Sequence, residues 1–395
     1  MKKVLKRVAA LAMCAACAIP AVGCRKPVDN SDQTVEVFAD NAGYGLDWLY
    51  AAEKVFEEKT GYSMVIKEQG SEALEPKIKA GPGTTTTDLF IVGEFWDRYI
   101  ALGSKAVDGY DYCLEPLDDV YDSVVEGEDR TISEKMWDSV EPVYKMEVVE
   151  NGEYVSHYYA MPWAAGVAGI FYNQDLFAAA GLDYEPRTTD ELMRFCETLK
   201  KAQTTPIIYS AADDYFSYTF NIWWAQYEGI NGVENFFNGK INDNAFPDPV
   251  QSLGIFDQEG IRETLKVFEE MLHKSKGYVD SLSESYDYTT AQARFLNGQA
   301  AMLPTGDWLE NEMKKSSAQL DIGNIILMRT PIISALSDKL SYWEEDSNFT
   351  EASKTMSADT RRAYDDKLCA IVDYVDGVTK EKPSFAEDAD VEIVR

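Results

Sequence analysis

Histidine is almost missing from this chain: 395 residues hold two, His157 and His273. One falls in a tyrosine-rich strand-like run and the other at the end of a helical one. No metal-binding histidine pair and no nucleophile elbow can be built from them. Cysteine is sparse as well. Beyond residue 24 only Cys113, Cys196 and Cys369 remain, an odd and widely spaced set that makes neither a disulfide framework nor a zinc site. Positive charge is short, with 37 Lys and Arg against 68 Asp and Glu and a net charge of −31. Nucleic acid and anionic lipid, which need basic patches, are therefore poor partners. The threonine run Thr84–Thr87 follows Gly-Pro-Gly but lacks the lysine of a phosphate-cradling loop. Long apolar runs are absent except for Val8–Val22, too short to span a bilayer. No internal repeat or low-complexity tract stands out, and no cofactor or metal motif is read.

That one apolar run belongs to a targeting segment. Lys2, Lys3, Lys6 and Arg7 precede it, and Ala21-Val22-Gly23-Cys24 follows it. The last four residues resemble a lipobox, which implies cleavage before Cys24 and a diacylglyceryl group on its thiol. Two acyl chains give stable anchoring, so the expected address is the outer face of the cytoplasmic membrane or cell surface. Removing residues 1–23 takes away four positive charges and no negative ones, which moves the mature chain from −31 to near −35.

Aromatic residues are plentiful, at 12% of the chain with 8 Trp and 23 Tyr. The length exceeds one comfortable core, so two domains are expected. After a polar tether over 24–33, Thr34–Asp40 alternates like a strand, and Leu46, Leu49, Ala52 and Phe56 recur at helical spacing up to Gly61. Strand Tyr62–Lys67, helix Glu72–Ala80, strand Thr87–Val92 and helix Glu94–Leu102 continue the alternation, which predicts a parallel sheet covered by helices. Asn151-Gly152 between two alternating runs predicts a hairpin. Further on, Thr188–Glu191 reads as an N-cap, with Leu192, Phe195, Cys196 and Leu199 as a buried stripe. Pro206–Ser210 reads as a strand, Tyr215–Tyr227 as an aromatic-rich helix, Ala300–Leu303 and Ile322–Met328 as strands. The stretch Ala160–Phe177 reads as a loop carrying Trp163, a buried Ile170-Phe171-Tyr172 strand, and a turn at Asn173 into a helix.

Two segments carry a family likeness. They are Pro162…Tyr172-Asn173…Leu176-Phe177…Gly181-Leu182 and Phe295…Gly298…Ala300-Ala301-Met302…Gly306-Asp307-Trp308. With the lipobox, they resemble the signature segments of family 1 extracellular solute-binding proteins, the sugar-binding lipoproteins of ABC importers. The likeness covers roughly residues 34–335. It implies an α/β, two-lobed periplasmic-binding-protein-like fold of type II with a hinge and an interlobe cleft. On that basis 34–160 is the N-terminal α/β lobe and 161–335 a mostly helical second lobe. Residues 336–395 form a C-terminal region that the likeness leaves open as incomplete. Tyr172-Asn173 is the expected hinge segment.

Ligands of open α/β sheets sit beyond the carboxyl ends of the strands. The loops there are Asp40–Tyr44, Gly93–Trp96, Pro162–Gly166 and Thr305–Trp308. A sugar needs aromatic faces for its C–H groups and planar polar side chains for its hydroxyls. The expected stacking residues are Trp308, Trp163 and one of Trp223 and Trp224, since adjacent helical positions face different ways. Asp40, Asn41, Glu94 and Asp307 are the expected hydroxyl partners, with Tyr44 and Trp96 beside them. The expectation is therefore a monomeric, non-catalytic receptor that captures a carbohydrate, most readily an oligosaccharide, for an ABC permease. The alternative is a binder of a polyamine or other cationic solute, which would also combine carboxylates with aromatic rings.

Overall fold

The computed structural model describes residues 33–93, 97–107, 109–136, 144–150, 152–241, 244–245, 251–314, 323–337 and 357–384. The chain divides into two compact units, Met1–Ala165 and Gly166–Arg395. Among the described residues no helix is long and apolar enough to cross a membrane.

The first unit is built on strand–helix alternation. Strand β1 (Thr34–Ala39) leads to helix α1 (Asp47–Thr60), β2 (Ser63–Glu68), α2 (Leu74–Ala80), β3 (Leu89–Ile91) and α3 (Asp97–Gly103). All strand pairs in this sheet are parallel, in the order β2-β1-β3. The two-residue side-chain period of β1 serves two cores at once. Val35, Val37 and Ala39 pack with Leu49 and Phe56 of α1 on one face, while Phe38 packs with Leu74 and Ile78 of α2 on the other. Helix α1 stops at Gly61, whose φ of +73° closes it with an N–H bond to the Glu57 carbonyl, a conformation glycine adopts without steric cost. A single turn, α4 (Asp118–Tyr121), precedes the antiparallel hairpin of β4 (Lys145–Glu150) and β5 (Glu153–Tyr158). The two strands pair from Glu150 with Glu153 outward, as the Asn-Gly signal between them predicts.

The second unit has its own three-stranded sheet, and this one is antiparallel. β6 (Ala168–Asn173) is the central strand. Around it run α5 (Gln174–Ala179), α6 (Thr189–Lys201), α7 (Phe216–Glu228), α8 (Ile230–Phe237), the two-residue ladder of β7 (Lys240–Ile241) with β8 (Asn244–Ala245), and α9 (Glu259–Leu272). Then come α10 (Tyr288–Leu296), β9 (Met302–Gly306), α11 (Leu309–Lys314), β10 (Ile325–Leu327) and α12 (Ala358–Val375). The sheet order is β10-β6-β9. Side chains of β6 alternate between two cores, Ile170 and Tyr172 to one and Phe171 to the other. Asn173 caps α5 by accepting the Leu176 N–H, and Thr188 caps α6 by accepting the Glu191 N–H. Cys196 is fully buried in the stripe predicted for it.

Two expectations are corrected here. Pro206–Ser210 is no strand: Ile207 makes single parallel bridges to Val279 and Met302, so its backbone divides its bonds between two neighbours and no ladder grows. Tyr172-Asn173 is a poor hinge, because Tyr172 pairs with Met302 on one edge of β6 and Ile326 on the other. The chain leaves the first unit earlier, at Ala165.

Candidate functional site

In the first unit the carboxyl ends of the three parallel strands lie side by side. The Asp40 N–H donates to the Ile91 carbonyl and the Gln69 N–H to the Ala39 carbonyl, each at 2.9 Å. Asp40 is half-buried there; desolvation, then the nearby Glu72 charge, raises its carboxyl above the usual aspartate range. The Asn41 amide donates to Glu68 at 2.9 Å, and the Tyr50 hydroxyl donates to the other oxygen of Glu68 at 2.7 Å. Trp163 comes back to this same edge. Its indole N–H donates to the carbonyl of Val92, just past β3, at 2.9 Å. Its ring stacks on Trp48 with centroids 4.7 Å apart and planes 22° apart, and Tyr44 meets it edge-on at 6.1 Å. Trp163 is half-buried. It is thus both packed on the unit's core and present at the strand ends.

Asp40, Asn41, Tyr44 and Trp163 are brought together by the first unit, with Glu68, Trp48 and Tyr50 as additional members. The signal that could have found Glu68 is its place directly after the Tyr62–Lys67 run, at a strand's carboxyl end. Glu94, Trp96 and Cys24 lie outside the described residues.

In the second unit Trp308 stands two residues beyond the end of β9 and one before α11. It is half-buried and belongs to a cluster of four rings. Tyr215 lies 6.2 Å from it with planes 36° apart, and Tyr218 meets it nearly edge-on at 5.9 Å and 64°. Tyr288, at the first position of α10, lies 6.2 Å from Tyr215. Burial raises the Tyr215 phenol well above its ordinary range, the neighbouring Trp308 indole works the other way, and Glu312 adds to the rise. Burial also raises Tyr288, helped by Glu312 and Asp213. Glu312 accepts from the buried Gln292 amide at 2.6 Å, and Asp213 accepts the Tyr288 backbone N–H at 2.9 Å. Asp307 is exposed, with its own backbone N–H on the Val167 carbonyl. Such offset and edge-on rings are the favourable arrangement for aromatic groups, and they leave ring surface half open.

Tyr215, Tyr218 and Tyr288 escaped sequence reasoning. The i, i+3 spacing of the first two at the start of an aromatic-rich helix was the available signal. Trp223 and Trp224 correct an expectation, since neither faces outward. Trp223 is fully buried and donates to the Pro331 carbonyl at 2.9 Å. Trp224 is 3% exposed and donates to the Gln258 side chain at 2.6 Å. Helix α7 packs against β6, α8 and α9 at once, so two adjacent positions both find a core.

Residues 39–325 match the family described as bacterial extracellular solute-binding protein. The diacetylchitobiose binding protein NgcE of Streptomyces coelicolor is 26% identical over 292 residues, 73% of this chain and 55% of that protein. The maltotriose-binding protein of Pyrococcus abyssi is 25% identical over 309 residues, 78% and 53% respectively. The chain spans about half the length of these curated relatives. Among solved structures, a chitin oligosaccharide binding protein aligns with a TM-score of 0.51 at 21% identity, over 76% of this chain and 68% of that one. The solute-binding protein RafE in complex with raffinose aligns at 0.52 and 18%, with the same coverage. These likenesses give the fold, which is α/β of the type II periplasmic-binding class.

Proposed function

The chain belongs to the bacterial extracellular solute-binding proteins, and from that premise we propose that it captures a carbohydrate, an oligosaccharide by preference, and presents it to the permease of an ABC importer. The observation that carries this reading is the half-buried ring cluster of Trp308, Tyr215, Tyr218 and Tyr288 beside the end of β9. Aromatic faces suit the C–H side of a pyranose, and the carboxylates and amides at the strand ends suit its hydroxyls. Burying the C–H face contributes on the order of 25 cal/mol per Å², and each net hydrogen bond about 0.5–1.5 kcal/mol. A few of each reach the roughly 8 kcal/mol of micromolar binding.

In this reading Trp163, Asp40 and Asn41 of one unit and Trp308 and Asp307 of the other supply contacts to the sugar. The lobes are taken as the two units, which part between Ala165 and Gly166. Closure on the ligand is a hinge motion, and the receptor acts as a monomer held at the outer face of the membrane by a lipid on Cys24. The named relatives bind diacetylchitobiose and maltotriose, which supports carbohydrate over polyamine as the ligand. A thermal-shift screen of mono- and oligosaccharides, with spermidine as the opposing probe, tests the reading. A sugar should raise the melting temperature and spermidine should not; the reverse would make the protein a cation binder. Oligosaccharides incubated with it should be recovered intact.

A further inference from the structure

We propose that Gly306 is the positioning residue of the Trp308 ring: its bare α-carbon lets the indole lie back on the end of β9, among the rings of Tyr215 and Tyr218. What the ring is used for rests on the reading above; how it is held does not. A β-carbon built on Gly306 would overlap Cη2, Cζ2 and Cζ3 of Trp308, the three atoms nearest to it. The glycine is not there for its backbone. Gly306 is buried, pairs with Ala168 in the ladder, and is not among the glycines of positive φ. Any L-residue can take such a conformation, so the space given to the indole is what a side chain would remove. The Tyr215 ring then lies 6.2 Å from the indole, and Tyr218 stands edge-on against it.

A ring fixed on these sides offers a ligand its π-face, and so reads the apolar face of a sugar. Fixing the ring before binding removes the ordering cost that a mobile side chain would carry.

The test uses the full-length chain with ¹⁵N-labelled tryptophan, in which the Trp308 indole cross-peak is identified by its loss in Trp308→Phe. Gly306→Ala should displace that cross-peak and speed its N–H exchange with solvent at least tenfold, while the protein keeps a cooperative melt. The same variant should weaken the sugar at least tenfold, yet add less than twofold in a Trp308→Ala background. An unmoved cross-peak in Gly306→Ala or an equal affinity loss without Trp308 would overturn the assignment. A wild-type protein that takes no sugar would instead remove the functional reading, and the displaced cross-peak would still stand.

Discussion

Trp308, Trp223 and Trp224 are the same side chain in three situations, and they separate binding from folding. Trp308 is half-buried in an open ring cluster, so Trp308→Ala should cost at least tenfold in sugar affinity, about 1.4 kcal/mol, with the melting temperature little changed. Trp223 is enclosed by Phe268 at 5.4 Å and by its bond to Pro331. Trp223→Ala should cost about 3–5 kcal/mol of stability, as large core truncations do, read from the denaturant midpoint. A Trp308→Ala protein that melts as early as Trp223→Ala would make Trp308 a core residue too. The sequence does distinguish Trp308, since Gly306-Asp307-Trp308 sits at a strand end. It does not distinguish Trp223 from Trp224, because α7 carries apolar side chains all round and has no polar face to orient it.

At the scale of elements, α12 is locked to α6 by buried charge. Asp365 is fully buried, accepts from Ser334 at 2.9 Å and pairs with Arg194 at 3.1 Å. Arg187 bridges Glu191 at 2.9 Å and Asp373 at 2.8 Å. Removing Arg194 leaves the fully buried Asp365 carboxylate without its counter-charge, so Arg194→Ala should cost about 3–5 kcal/mol, measurable by denaturant titration; a loss within experimental error would deny the lock. For Glu191, burial alone would raise the carboxyl, but the Arg187 side-chain and backbone bonds outweigh it and hold it below the ordinary value of 4.5. Its pKa is thus lower folded than unfolded. The stabilisation it gives is complete above the ordinary range and is lost as pH falls through the depressed value. Between about pH 5 and 3 the stability of Glu191→Gln should fall less steeply than that of the wild type; parallel curves would contradict the pairing. The Thr188 cap that starts α6 was legible as a local signal. The ion pairs were not, because Arg187 and Asp373 are 186 residues apart and charge spacing speaks only within a helix. The period-3.6 apolar triplet Leu368, Ile371 and Val372 could have announced α12. The antiparallel hand of the second sheet could not be read, since β6, β9 and β10 come together only through long connections.

For the molecule as a whole, strand–helix alternation announces the parallel sheet of the first unit, and length alone announces a second unit. Family membership adds what neither can, because Gly306-Asp307-Trp308 and Tyr172-Asn173 lie 133 and more residues apart and only a known fold relates them. The proposed receptor needs both units: Trp163 seated on the Val92 carbonyl in one, and Trp308 against Tyr215 in the other. The decisive measurement is calorimetric titration of wild type, Trp163→Ala and Trp308→Ala with a sugar that the wild type binds near micromolar. Affinity should fall at least tenfold in each variant while both remain folded. Wild-type affinity in either one would contradict the role proposed for that tryptophan.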